Sequence, residues 1–410
     1  MKVLRIFFLL LATIILWVAV RQYFFCPSYS FTDNPPFSGN QWYNPYSTIS
    51  QGNWIKCNFH AHTNAWAGIS NGHGGAEDVW KAYDSLGYAV RSISEYHKIN
   101  NTYKDSINYI SAYEHGYNIQ KTHQLVIGDY EVLWLDYIFP QTLSNKQNIL
   151  NKLSYEKDNV IFVNHPGMRN GYTGEDMRHL TNYNCIEILN PQAISISQWD
   201  AALSAGIPVF GVGDDDMHNV FHPGEMGRYC TWLNVPAVNK GNIMTALKEG
   251  HGYAMIIPQK ENEDHFARQE RIRSELPMLK QFTITGDTLQ VEMNKPAKEI
   301  KFAGQNGKQL ATITDTPAAS YILKSEDSYV RTEIEFDDGT KIFLNPVFRH
   351  NGSPLVTKAG YSFNIAKTIF FFIIGLVLLV VWGLYVIRQL FRRHYRSKKE
   401  RSKVPAYPIE

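Results

Sequence analysis

Residues 55–68 read IKCNFHAHTNAWAG, a short apolar run that ends in two histidines one residue apart. His60-Ala-His62 is either a metal-binding corner at the end of a strand or two polar residues entering a loop. What the other strand ends carry decides between them. From 53 to 257, short apolar runs alternate with amphipathic stretches; the strand candidates are 54–59, 88–94, 124–131, 160–164, 185–189, 208–212 and 230–235. Between several of them lie helix-like segments, GAEDVWKAYDSLGY, SISQWDAALSAGI and NKGNIMTALKEG, each with a glycine as its stop signal. Strands alternating with helices imply a parallel sheet with right-handed crossovers. Seven such units predict an α/β fold closed into a (β/α) barrel smaller than the eightfold kind, with a doubly wound open sheet as the alternative.

Metal-type side chains recur where these strands end. His60 and His62 follow the first, Glu95 and His97 (SISEYHKIN) the second, and Glu131 (VIGDYEV) ends the third. His165 (IFVNHPG) follows the fourth, Glu187 and Asn190 (CIEILNP) mark the fifth, and Asp216 and His218 (VFGVGDDDMHN) follow the sixth. Catalytic groups of such barrels gather at the C-terminal strand ends, where the loops converge on one mouth. Imidazoles and carboxylates suit Zn, Mn or Fe better than a thiolate site would.

This ordered set resembles the PHP superfamily, named for polymerase and histidinol phosphatase. Its hallmark is HxH after the first strand, a DH-like motif after the second, then a Glu, then HP, then a terminal DxH. Here these are His60-x-His62, Glu95-Tyr96-His97, Glu131, His165-Pro166 and Asp216-x-His218, spanning about 53–257. The resemblance implies a distorted (β/α)7 barrel holding two or three divalent metal ions and hydrolysing phosphoesters. It implies that His60, His62, Glu131 and Asp216 hold one metal and that Glu131, His165 and His97 hold the second, Glu131 being the bridge. Glu95 stands at the usual Asp of the second motif. His218 completes the cluster or acts near the leaving group, so His218, His97 and Glu131 are the catalytic candidates. Ala67 stands where the family has a carboxylate or histidine, and Tyr96 where it has a histidine; His73 is a substitute ligand for the third metal. Arg169 and Arg228, in mouth loops, are candidates for binding substrate phosphate.

The remaining chain divides by composition. Residues 26–52, rich in Pro, Ser, Asn and aromatics, read as an extended segment; 258–280 are highly charged and read as a linker or solvated helix. From 281 to 350 the period changes to two, with Gly-Asp, Asn-Gly and Asp-Gly turn signals, predicting a small antiparallel β-sandwich. Residues 369–387, IFFFIIGLVLLVVWGLYVI, carry no charge. Extended to 365, this run is long enough for a ~30 Å hydrocarbon core. At the other end, 1–25 contain Lys2, Arg5 and the apolar run 6–20 before Arg21, a signal peptide or an uncleaved signal anchor. The tail 388–410 is strongly basic, so both termini are expected in the cytoplasm and the body of the chain outside it.

The 410 residues carry a net charge of +2, and no basic stripe suggests nucleic acid. Cys57, Cys185 and Cys230 each sit in an apolar run and are expected as buried thiols; Cys26 completes the four. The expected partners are membrane lipid, through the two apolar segments, and a small-molecule or envelope-component phosphoester. The reading is a membrane-anchored, extracytoplasmic metal-dependent phosphoesterase. Its alternatives are a metal-dependent amide or sugar-ester hydrolase and a non-catalytic envelope binding module.

Overall fold

The computed structural model describes residues 2–156, 158–356 and 360–401. Two compact units divide the chain, one of 1–30, 137–148 and 362–410, the other of 31–136 and 149–361.

The first unit holds the helices Lys2–Tyr23 and Ile365–Arg401. Their spans Val3–Tyr23 and Ile365–Leu390 are long and apolar enough to cross a membrane. Trp382 Nε1 donates to Thr13 Oγ1 at 3.0 Å, and Phe24 and Phe25 meet Phe371 and Phe372. Gly375 permits the contact, because a Cβ there would stand 2.8 Å from the Phe25 ring. Small residues at helix crossings are what packing in lipid requires. Of the basic tail expected over 388–410, residues 402–410 lie outside the described residues.

Besides the short strands Gln41–Tyr43 and Ala193–Ile194, the second unit holds β1 (Trp54–Asn58), β2 (Val90–Arg91), β3 (Ala112–His115), β4 (Gln124–Ile127), β5 (Val160–Val163), β6 (Cys185–Asn190), β7 (Phe210–Gly213), β8 (Tyr229–Asn234) and β9 (Gly252–Ile256). Five more follow: β10 (Leu279–Thr285), β11 (Thr288–Ala303), β12 (Gln309–Ile322), β13 (Tyr329–Glu335) and β14 (Lys341–His350). One sheet runs β7-β6-β5-β4-β3, with β6 parallel to β5 and β7, and β4 antiparallel to both its neighbours. The other runs β10-β11-β13-β14-β9-β8-β1-β2, with β12 on β11, and only its β1–β2 pair is parallel.

The α/β class is as expected, but among the described residues no hydrogen-bonded ring closes the strands into a barrel. Among the strands not expected, two interrupt the alternation: β3 pairs with β4 as a hairpin, and β9 returns antiparallel on β8. Antiparallel neighbours need no crossover helix: none lies between β3 and β4, whereas the helix Lys240–Glu249 stands between β8 and β9. The helices Ala76–Ser85, Ile196–Ser204 and Lys240–Glu249 lie where the glycine-stopped segments were expected. Gly250 takes φ +70° at the end of the last, and the Asn239 side chain caps its start through Asn242 N.

Strands β10–β14 have the expected antiparallel pairing but do not stand apart as a sandwich. β14 pairs with β9, placing Leu344 opposite Tyr253 and Phe343 opposite Ala254. One core therefore joins Cys230, Trp232, Tyr253 and Met255 to Phe282, Leu289, Ile300 and Phe302. All four cysteines are buried, and Cys57, Cys185 and Cys230 are free thiols. The Arg331 guanidinium grips Asp200, on the helix Ile196–Ser204, with two hydrogen bonds of 2.7 Å, and Tyr329 donates to the same carboxylate at 3.0 Å.

Removing one partner of a buried pair strands the other's charge. Asp200→Ala is therefore expected to destabilise the protein by about 3–5 kcal/mol. Thermal and denaturant unfolding of the detergent-solubilised chain checks this; a change below about 1 kcal/mol would show that the pair is solvated.

Candidate metal centre

Asparagine, aspartate and main-chain groups shape the corner that follows β1. Phe59 N donates to Asp214 Oδ1 at 2.5 Å, Asp215 N to Asn58 Oδ1 at 2.9 Å, and His62 N to Met217 O at 2.8 Å. The loops leaving β1 and β7 thus run side by side and bring His60 and His62 against Asp216. The three aspartates of GDDD divide the work. Asp215 accepts from Gly227, Arg228 and Tyr229 N and from Tyr83 Oη, tying down the loop before β8. Asp214 holds Phe59, and Asp216 turns inward at φ +45°.

Glu187, on β6, fixes His60. Its Oε1 lies 2.9 Å from His60 Nδ1, while its Oε2 accepts from His165 N at 2.8 Å. A carboxylate on Nδ1 sets the tautomer and turns Nε2 inward as a lone-pair donor. His60 Nε2 lies 3.4 Å from Glu114 Oε2 and 3.2 Å from Asp216 Oδ1; His62 Nε2 lies 3.3 and 3.4 Å from the same two oxygens. All four atoms are buried and have no hydrogen-bond partner. Nitrogen and oxygen ligands about 2.0–2.2 Å from a tetrahedral cation stand about 3.3–3.6 Å from one another. The orphaned donors therefore have the spacing of a coordination shell.

A second group shares the same carboxylate. Glu114 Oε1 faces His123 Nδ1 at 2.7 Å and His165 Nε2 at 3.3 Å, and accepts from Asn164 Nδ2 at 3.3 Å. A third comprises His62, Asp216 and His218, with His218 Nδ1 3.6 Å from Asp216 Oδ1. Glu114 thus links the first two groups and Asp216 the first and third.

The charges hold one another in place. Burial opposes a charged imidazole at His60, but Asp216, Glu187 and Glu114 outweigh it and raise its pKa well above the usual value. His62, likewise buried, is raised to about 9 by Asp216 and Glu114, and His165 is raised by Glu114, Glu187 and Asp216. Burial disfavours the charged carboxylates too, yet His123, His60 and His165 hold Glu114 well below its ordinary range, and His60, His62 and His218 lower Asp216. Without a cation, protons on imidazole balance the carboxylates; a bound cation replaces them.

Of the residues singled out from the sequence, His60, His62, His165, Asp216 and His218 come together. Glu131 does not. It is exposed in the loop after β4, where its main-chain N donates to Asp129 Oδ1, and it borders a cavity of about 520 Å³ with Tyr130 and Lys240. The carboxylate at the shared position is Glu114, on the unanticipated strand β3. His123, immediately before β4, is the second ligand candidate missed. The available signal was the pair of them nine residues apart, flanking Gly116, on the two arms of a hairpin.

His97 is also placed otherwise than expected. Gly116 N donates to its Nε2 at 3.0 Å and its Nδ1 meets Leu133 O at 3.1 Å, so both ring nitrogens are engaged. Burial and the neighbouring His115 lower its pKa to about 4, keeping it neutral. It has no lone pair free for a metal or for proton transfer. Glu95 is buried and accepts from Thr63 N and Oγ1, bracing the loop after His62 rather than joining a group. Tyr96 stacks on His62, centroids 4.6 Å apart. Ala67 and His73 are exposed. Arg169 is exposed and donates to Ile119 O, and the Arg228 guanidinium lies over the Tyr229 ring.

No family model matches the chain, and no curated protein matches it. Two crystal structures are similar to it. One is a two-domain protein containing a predicted PHP-like metal-dependent phosphoesterase from Bacteroides vulgatus ATCC 8482, 14% identical over 77% of this chain and 99% of that one, with a TM-score of 0.36. The other is PsfC from Pseudomonas syringae PB-5123, 13% identical over 54% of this chain and 97% of that one, also with a TM-score of 0.36.

Glu114→Gln and Glu131→Gln separate the two candidate bridges. The first is expected to lose bound metal and the second to keep it, by elemental analysis of protein loaded with Mn²⁺ or Zn²⁺. Glu187→Gln, acting through His60, is expected to weaken metal binding about 10–100-fold. Metal retained in Glu114→Gln would remove Glu114 from the centre.

Proton balance makes a separate prediction for protein stripped with EDTA. His62 has its pKa raised from 6.5 to about 9, so its protonation adds stability that is full below pH 6.5 and lost as pH rises through about 9. The melting temperature of wild type minus that of His62→Gln should fall between those values. A flat difference would show that His62 does not carry this proton.

Proposed function

We propose that this protein is a membrane-anchored, metal-dependent phosphoesterase whose catalytic unit lies outside the cytoplasm. The observation that carries the reading is the cage of His60 Nε2, His62 Nε2, Glu114 Oε2 and Asp216 Oδ1, four buried donors without hydrogen-bond partners. The spacing fits a divalent ion, and Glu114 Oε1 with His123 and His165 fits a second. The donor set of imidazole and carboxylate suits Zn, Mn or Fe. Such ions, when bound, polarise a phosphoryl oxygen and lower the pKa of water.

The chain's own groups do the rest. Glu187 keeps His60 in the ligating tautomer, and Asn164 holds the Glu114 carboxylate in its shared orientation. His218 Nδ1 lies 2.8 Å from Asp216 O, to which it donates, which leaves Nε2 to take a proton from the nucleophile or return one to the leaving oxygen. Burial and His62 lower the His218 pKa, favouring the neutral ring that accepts such a proton. Phosphomonoesters and phosphodiesters, free or as envelope components, are the substrate class.

The placement rests on charge. Lys2 and Arg5 precede the first apolar helix and the basic tail follows the second, so both termini belong in the cytoplasm.

Two preparations test the reading. Purified protein loaded with Mn²⁺ or Zn²⁺ should hydrolyse p-nitrophenyl phosphate or bis(p-nitrophenyl) phosphate, with His218→Ala reducing turnover about 10²–10⁴-fold at retained metal content. Intact cells expressing it should hydrolyse a phosphoester that cannot cross the membrane. Activity only after lysis would reverse the topology, and hydrolysis of p-nitrophenyl acetate alone would replace phosphoester by acyl ester.

A further inference from the structure

The rim beside the metal centre is aromatic, and its construction is unexplained by metal binding. Tyr96, stacked on His62, accepts a hydrogen bond at its carbonyl from Trp66 Nε1, 2.8 Å away. Trp66 meets Trp134 edge to face, with centroids 6.0 Å apart and ring planes at 71°. Trp134 in turn lies flat on His97, 5.4 Å away at 18°. One face of the Trp134 indole is therefore covered by His97. The residue is still 60% exposed, so its other face is open to solvent, and Trp66 is 41% exposed.

The support under this indole is rigid. His97 stands at φ +48°, a conformation unfavourable for a side-chain-bearing residue, and its ring is held at both nitrogens by Gly116 N and Leu133 O. Gly116 is itself at φ +129°, and a Cβ there would stand 2.5 Å from the His123 ring. Backbone strain of this kind persists where the surroundings enforce it, and it gathers at ligand sites. Positive charge flanks the aromatics: Lys98 Nζ lies 5.7 Å from the Trp66 ring centre and Lys121 Nζ 5.8 Å from that of Tyr96.

We propose that the open face of Trp134, walled by Trp66, binds the sugar ring of a glycosyl phosphoester whose phosphoryl group lies at the metal centre. This names the substrate class of the hydrolase proposed above and rests on that reading for the phosphoryl end only. The negative face of an indole attracts the weakly positive C–H edge of a ring laid on it. The two indoles form a corner of one floor and one wall, which fits a puckered ring with axial and equatorial hydrogens. A planar base also stacks on a single open indole face, and adenosine monophosphate is the probe for that occupant. Lys98 and Lys121 match the charge of the phosphate that the sugar carries.

The test uses the full chain in detergent, with α-D-glucose 1-phosphate, glycerol 3-phosphate and adenosine monophosphate as probes. In metal-free protein, magnetisation saturated on aromatic protons should pass to the pyranose hydrogens of glucose 1-phosphate. It should vanish in Trp134→Ala, return in Trp134→Phe, and be absent for glycerol 3-phosphate. In metal-loaded protein the ratio of kcat/KM for glucose 1-phosphate to that for glycerol 3-phosphate should fall about tenfold in Trp134→Ala. An unfolded Trp134→Ala is replaced by Trp66→Ala, for which the same losses are expected. Transfer that survives both substitutions, or a Trp134-dependent preference for adenosine monophosphate, would overturn the proposal. Transfer to the sugar without hydrolysis of any probe would sink the phosphoesterase and leave the platform standing.

Discussion

A carboxylate buried among imidazoles is the interaction on which this structure turns. Glu114 is 1% exposed, and it faces His60 and His62 with one oxygen and His123 and His165 with the other. An ionised carboxyl in such a place is tolerable only with positive charge on several sides. Protons on the histidines supply it in the metal-free protein, and a divalent cation held in the proposed cage would take their place.

The loops that hold these imidazoles carry unusual backbone. His97, His165 and Asp216 all have positive φ, at about 1–3 kcal/mol each. Each is tied by hydrogen bonds to another part of the chain, His165 and His97 to strands and the Asp216 segment to a loop. His165 N meets Glu187 on β6, His97 N meets the Glu114 carbonyl on β3, and the Asp216 loop is fastened to that of His62. The strain is offset by the two sheets, which fix the positions of the strand ends independently of the loops.

Extending the second sheet through β14 has a mechanical consequence. β1, which delivers His60 and His62, pairs with β8, β8 with β9 and β9 with β14. The C-terminal strands are thus part of the scaffold of the centre although they place no side chain in it. The Arg331–Asp200 pair adds a second attachment at the helix following β6.

Much of this centre was legible from the chain. The histidines of HAH and NHP, and Asp216 and His218 of DDMH, follow strands recognisable by apolar runs, and a strand end has only one direction in which to send the next residues. The apolar terminal helices and the glycine-stopped helices were legible for the same local reason. Glu114 was not. The four residues of β3 are all buried, yet they read Ala-Tyr-Glu-His, with neither alternation nor an apolar run. Glu131 ends a hydrophobic stretch and looked the better candidate, whereas β4 stops at Ile127 and leaves it in solvent. His97 likewise offered the right side chain, but partners at Gly116 and Leu133 took both its nitrogens. Periodicity reports the face on which a residue lies. Which carboxylate comes within 3.4 Å of His60 is decided by the antiparallel pairing of β3 on β4, a long-range contact that no local pattern encodes.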